Sequence, residues 1–210
     1  MLRLHHSPLA CSLAIRFALA ESGLPHEIAI VQIPLGENKT DAYLKINPRG
    51  KVPALEADAG VLTEGSAILS YIADLAPEKS LLPNVGTFAR AQAQAWLSFF
   101  SSTLHSAFGA LFNPIDGCEG DAAKQAYIAR IASAFGEVDD HLKNRETILD
   151  TFSVCDLYLA VFALWRMSPL LAGKLPAFPE IDRHMQSVLG RPALNGILEE
   201  ELRLKAEAEE

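Results

Sequence analysis

The chain has 210 residues, half of them hydrophobic and 21% charged, which excludes a disordered protein and leaves room for one or two domains with a real core. The net charge is −8, and residues 199–210 hold six Glu against Arg203 and Lys205, so half of that charge sits in the tail. No basic stripe is present for nucleic acid or an anionic membrane surface.

Residues 2–6 read as a short strand, followed by the turn Ser7-Pro8-Leu9-Ala10 and then Cys11-Ser12. From Leu13 the apolar positions Ile15, Phe17, Ala18 and Leu19 predict a helix that stops at Gly23, with Pro25 just beyond. A thiol at a helix start faces unpaired N–H groups and the positive end of the helix dipole. Both favour a thiolate, either its own or that of a thiol ligand beside it. The alternative for Cys11 is a small buried residue that packs the turn. Pro8 and Arg16 interrupt what would otherwise resemble a signal peptide. Cys11, Cys118 and Cys155 show no disulfide or zinc spacing, so a reducing cytoplasm and no metal are expected.

Residues 28–31 read as a second strand, 42–46 as a short helix, and 54–56 with 61–62 as a hairpin around Gly60. A helix over 64–76 places Ala67, Ile68, Tyr71, Ile72 and Leu75 on one face. The proline-bracketed stretch 77–84 is the linker candidate. Beyond it only helical periods follow, over 87–111, 122–142, 153–167 and 181–189, with a last short one after Pro192. The apolar stretch 157–172 starts beside Asp156 and contains Arg166, so it reads as a buried helix rather than a membrane span.

Ser153 and Asp156 form a capping-box pattern at the head of that helix, which makes Asp156 structural and Cys155 a packing residue. A second cue is the loop Asn47-Pro48-Arg49-Gly50-Lys51-Val52-Pro53, which enters a strand through an X-Pro bond. A cis bond there would expose the Val52 N–H and C=O to an extended peptide ligand. Thr63-Glu64-Gly65-Ser66 opens the next helix, where free N–H groups suit a carboxylate and Glu64 suits an ammonium. A thiol site, a strand-like edge and a paired carboxylate–ammonium site together describe glutathione.

These residues resemble the cytosolic glutathione transferases, and within them the bacterial beta class. The resemblance rests on Ser7-Pro8, Ala10-Cys11-Ser12-Leu13, Ile46 through Leu55, and Leu62-Thr63-Glu64-Gly65-Ser66-Ala67-Ile68. It continues through Trp96-Leu97, His105 and Phe152-Ser153-Val154-Cys155-Asp156-Leu157-Tyr158, covering nearly the whole chain. It implies an α/β thioredoxin-like domain over 1–77, a linker over 78–86 and an all-helical domain over 87–210. Glutathione would be the cosubstrate, a small hydrophobic electrophile the partner substrate, and a homodimer the assembly. By position it implies Cys11, Ser12 and His105 as catalytic, and Val52, Pro53, Glu64, Gly65, Ser66, Lys39, Ser102 and Thr103 as binding residues. The chain departs from the class at His5, where tyrosine is common, at the loop before Ala42, where only a displaced Lys39 is available, and at Ser98 in place of an Asn.

His5 and His6 point to opposite faces of a strand and cannot address one site. His105 lies one turn past Ser101 and Ser102, on a helix whose polar face suits a ligand cleft or plain solvent. Trp96, Phe99 and Phe100 are read as core, and the Glu-rich tail as a solvated helix end. Lowering a thiol from about 8.5 by two units takes about 2.7 kcal/mol. A helix N-terminus supplies roughly 0.3–1 kcal/mol. A direct hydrogen bond to the ligand sulfur is therefore required, and Cys11 and Ser12 are expected to share it. The expected activity is conjugation of the glutathione thiolate to small hydrophobic electrophiles. The alternatives are a reductase working through a Cys11–glutathione mixed disulfide and a catalytically silent binding or regulatory protein.

Overall fold

The computed structural model describes residues 1–118 and 120–208. The chain forms two compact units, one made of Met1–Leu82 with the segment from Leu189 onward, the other of Pro83–Val188.

In the first unit the elements are β1 (Leu2–His6), α1 (Leu13–Ser22), β2 (His26–Ile30), α2 (Asp41–Ile46), β3 (Ala54–Ala57), β4 (Gly60–Thr63) and α3 (Gly65–Leu75). The sheet order is β2-β1-β3-β4. β1 pairs parallel to β2, with His6 opposite Ile30, and antiparallel to β3, with His5 opposite Ala54. β4 returns antiparallel on β3. This is a thioredoxin-like sheet. Being central, β1 is covered on both faces, so His5 and His6 are both buried although they point opposite ways. Leu4, Phe17, Leu19, Leu55, Ile68 and Ile72 form the core. α1 ends where expected: Gly23 takes φ 67° and returns its N–H to the Leu19 carbonyl, a conformation that a Cβ disfavours.

The second unit is helical: α4 (Phe88–Phe99), a π-helical stretch over Phe100–His105, α5 (Ser106–Phe112), α6 (Asp121–His141), α7 (Val154–Trp165) and α8 (Pro179–Leu189). The run expected over 87–111 is continuous, but wider turns replace α-helix between α4 and α5. Serine hydroxyls crowd that ladder: Ser101 and Ser102 donate to the Ser98 carbonyl and Ser106 to that of Ser102. The capping box at α7 is present. Asp156 accepts the Ser153 N–H at 2.8 Å and the Ser153 side chain accepts the Cys155 N–H at 3.2 Å.

α9 (Ile197–Glu207) is the last helix among the described residues, and it corrects two expectations. The expected helical domain over 87–210 does not include this segment, which packs with the first unit, and the units divide between Leu82 and Pro83. Nor is the tail helix simply solvated. Glu201 is completely buried, and Glu200 pairs with Arg16 of α1; just before the helix, Arg191 makes a two-pronged ion pair with Glu21 of α1 at 2.6 and 2.9 Å. Among the described residues no helix is long and apolar enough to cross a membrane.

Candidate functional site

Cys11 sits on the turn between β1 and α1, half-buried. Its thiol donates to the Val52 carbonyl at 3.4 Å. Burial pushes that thiol up to about 11, against the lowering effects of the Cys11 and Ser12 N–H groups and the Lys51 ammonium; the Glu64 carboxylate adds to the rise. Of the two thiolates that a helix start could favour, Cys11's own or that of a ligand thiol beside it, the first is opposed by burial. The dipole and N–H groups act in the expected direction, but desolvation of the charge is larger. At neutral pH Cys11 is a hydrogen-bond donor.

Ser12 is placed differently from expectation. It is buried, and its Oγ lies 2.8 Å from His6 Nδ1, accepts the Ser7 N–H at 3.2 Å and donates to the Ser7 carbonyl at 3.4 Å. Its hydroxyl serves the turn, and its N–H faces the Cys11 sulfur.

Opposite Cys11, the Val52–Pro53 bond is cis, and the Val52 N–H has no partner among the described residues. The loop is pinned one residue earlier, where the Tyr43 hydroxyl and the Asn47 side-chain amide each donate to the Lys51 carbonyl at 2.7 Å. Burial pushes the Tyr43 hydroxyl up to about 12, which keeps it a donor. Tyr43 also stands edge-on to His5, whose Nε2 meets Glu56 at 2.5 Å. Sequence reasoning missed Tyr43. The available signal was an aromatic residue in a short helix directly before an Asn-Pro turn.

Glu64 precedes α3 with φ 72° and ψ 116°, a strained conformation for a residue with a side chain. It is exposed and pairs with Arg49 at 2.6 Å. The N–H groups of Gly65 and Ser66 open α3 and are unpaired among the described residues. Lys39 lies exposed at the end of the 3-10 turn Glu37–Lys39 and pairs with none of these groups. The cation that acts on Cys11 is Lys51.

In the second unit, His105 is half-buried with Nδ1 3.2 Å from the Tyr158 hydroxyl, and its ring meets Trp165 edge-on at 5.3 Å and Phe162 at 5.7 Å. Ser102 is exposed and donates back to the Ser98 carbonyl at 2.8 Å, while the Thr103 carbonyl accepts from Ser106 at 3.1 Å. Among the described residues no group of His, Cys, Asp and Glu is suited to a metal.

A thioredoxin-like sheet with one thiol at its first turn and a cis-proline edge opposite, followed in the chain by a helical unit, defines the glutathione transferase architecture. A family model described as Glutathione S-transferase, N-terminal domain, matches residues 10–75. The glutathione S-transferase GstA of Escherichia coli O157:H7 is 33% identical over 205 residues, covering 95% of this chain and 98% of its own. A bacterial beta class glutathione S-transferase of Sphingomonas chungbukensis is similar in structure with a TM-score of 0.84 at 36% identity, covering 95% of this chain and 98% of that one. A sphingomonad glutathione S-transferase complexed with glutathione gives 0.84 at 38%, with the same coverage. The chain belongs to the glutathione S-transferase family, a family of transferases, and its structural neighbours include the bacterial beta class.

Proposed function

We propose that this protein conjugates the glutathione thiolate to small hydrophobic electrophiles, as a homodimer in a reducing cytoplasm and without a metal. The observation that carries the reading is the Cys11 donor facing the Val52 edge. An extended ligand backbone pairs with the Val52 N–H and C=O. Taking the carbonyl releases the Cys11 S–H, which turns onto the ligand sulfur beside the N–H groups of Cys11 and Ser12. Glu64 exchanges Arg49 for the ligand ammonium, and the Gly65 and Ser66 N–H groups receive its α-carboxylate. Pro53 shapes the edge, and Lys39 is the candidate for the distal carboxylate. By family resemblance Ser102, Thr103 and His105 are assigned to ligand binding, and within the second unit His105 stands against the rings of Phe162 and Trp165. The glutathione proton leaves to solvent, the sulfur lone pair forms the C–S bond, and the leaving group departs with the broken bond's electrons.

A second reading is favoured by the partly exposed Cys11, which is in no disulfide. As a thiolate it would attack a glutathione-containing disulfide, expel one thiolate and hold a mixed disulfide that free glutathione resolves. A thiol at about 11 slows that attack, and conjugation is preferred. The test is steady-state turnover with a chlorodinitrobenzene-type electrophile and, in parallel, with a glutathione mixed disulfide. Conjugation as the dominant rate supports the proposal. Disulfide turnover alone assigns the reductase, and glutathione binding with neither activity assigns a silent binding protein.

Glu64→Gln gives a sharper check. It removes a contact made equally in the ground and transition states, from a group about two-thirds exposed, and is expected to cost ~1 kcal/mol, roughly fivefold in glutathione KM with kcat little changed. A fall in kcat alone would place Glu64 in the chemistry instead.

A further inference from the structure

The buried carboxylate of Glu201 has no role in the function read from the sequence, and its surroundings give it one. One oxygen meets His6 Nε2 at 2.7 Å and also accepts from Arg16 Nη1; the other accepts the Leu9 N–H at 2.7 Å. Burial alone would push this carboxyl up, but the His6 hydrogen bond and charge, the Leu9 N–H and Arg16 outweigh it and hold it below the usual carboxylate range.

These three partners bracket Cys11 along the chain. His6 ends β1, Leu9 is in the turn, and Arg16 lies in α1. Leu9 has φ 56°, in the left-handed region that a branched side chain disfavours, so the turn requires something to hold it. His6 relays the hold further. Its other nitrogen lies 2.8 Å from Ser12 Oγ, which accepts the Ser7 N–H, fixing the residue whose own N–H faces the Cys11 sulfur.

We infer that Glu201 is a positioning residue for the Cys11 site: from the last helix it clamps the Leu9 turn directly and orients Ser12 through His6, so that the Cys11 thiol and the two adjacent N–H groups converge on one ligand sulfur. The inference deepens the conjugation reading and rests on it for the identity of that sulfur. The clamp itself is measurable without glutathione.

The test compares wild type with Glu201→Gln and Glu201→Asp in a Cys118→Ser background, where Cys155 is fully buried and Cys11 is the thiol open to alkylation. Iodoacetamide rates at Cys11 are followed against pH, alongside melting temperature, kcat and KM. Glutamine removes the charge and aspartate withdraws it by one methylene, so either variant loosens the turn and hydrates the thiol. The Cys11 titration is then expected to move down from about 11 toward its ordinary 9.0, and alkylation near pH 8 to accelerate. The kcat for conjugation is expected to fall about tenfold, with KM changing less. Leu9→Gly added to Glu201→Gln relieves the left-handed residue and is expected to recover part of kcat. A lowered melting temperature with unchanged alkylation profile and kcat would make Glu201 purely structural and overturn the inference. If Glu201→Gln does not fold, the aspartate variant decides by the same readouts. Absence of conjugation in wild type would defeat the activity reading while leaving the alkylation result to judge the clamp.

Discussion

Cys11→Ala is expected to lower kcat/KM for conjugation by about 1.5–3 kcal/mol, roughly 10- to 150-fold, the worth of one hydrogen bond to a charged group. Cys11→Ser is expected to keep most of the activity, because a hydroxyl donates at least as well as a thiol. The reason is the protonation state. With its thiol pushed up to about 11, Cys11 holds its proton throughout the neutral range and acts as a donor to the ligand sulfur. The sign fixes the pH dependence: donation is complete well below about 11 and lost as pH rises through it. Intact-mass measurement after incubation with oxidised glutathione separates this role from covalent chemistry. An adduct on wild type that both variants lack, with activity retained in Cys11→Ser, means the thiol can be captured but conjugation does not need its sulfur. Equal loss in both variants would mean that the sulfur itself is the reacting atom. Full activity in Cys11→Ala would reduce Cys11 to packing and leave the Cys11 and Ser12 N–H groups as the sulfur's partners.

The largest stability effect is expected at Asp156. Its carboxylate is wholly buried and accepts the N–H groups of Ile148 and Ser153 at 2.8 Å, the Ser153 hydroxyl at 3.0 Å and His184 Nε2 at 2.8 Å. Among the described residues His184 Nδ1 has no partner, so the imidazole proton sits on Nε2 and points at Asp156. Asp156→Ala strands several buried donors at once and is expected to cost about 3–5 kcal/mol of unfolding free energy. Asp156→Asn keeps an acceptor in place and is expected to cost less. Urea unfolding read by far-ultraviolet circular dichroism measures both. A loss below about 1 kcal/mol for Asp156→Ala, the value of an isolated helix cap, would mean that the network beyond the capping box contributes nothing.

Local features carried most of what the sequence revealed. The Gly23 stop, the X-Pro strand entry and the Ser153–Asp156 box are all set within a few residues, and each is found where its pattern lies. Burial of charged groups in the tail was not legible. The Glu-rich tail has the composition of a solvated helix, yet Glu201 is inside because His6, 195 residues away in the chain, Leu9 and Arg16 meet it there. Which thiol carries the charge was likewise left open by the sequence. A helix start can be read from sequence, but the desolvation that outweighs it at Cys11 depends on what packs around the turn. Ser12 was expected to share with Cys11 the hydrogen bond to the ligand sulfur, through its hydroxyl or a backbone N–H. Its hydroxyl is instead taken by His6 and Ser7, a choice that only the tertiary fold makes.

The central claim is that this site stabilises the thiolate of bound glutathione. The most direct measurement is a pH titration of thiolate ultraviolet absorbance for the protein–glutathione complex against the protein alone. Cys11, at about 11, stays protonated over the neutral range and does not obscure the signal. The site's donors predict a bound thiol that titrates about two units below the ordinary value of about 8.5. A bound thiol that titrates at the ordinary value, with glutathione binding intact, would contradict the account.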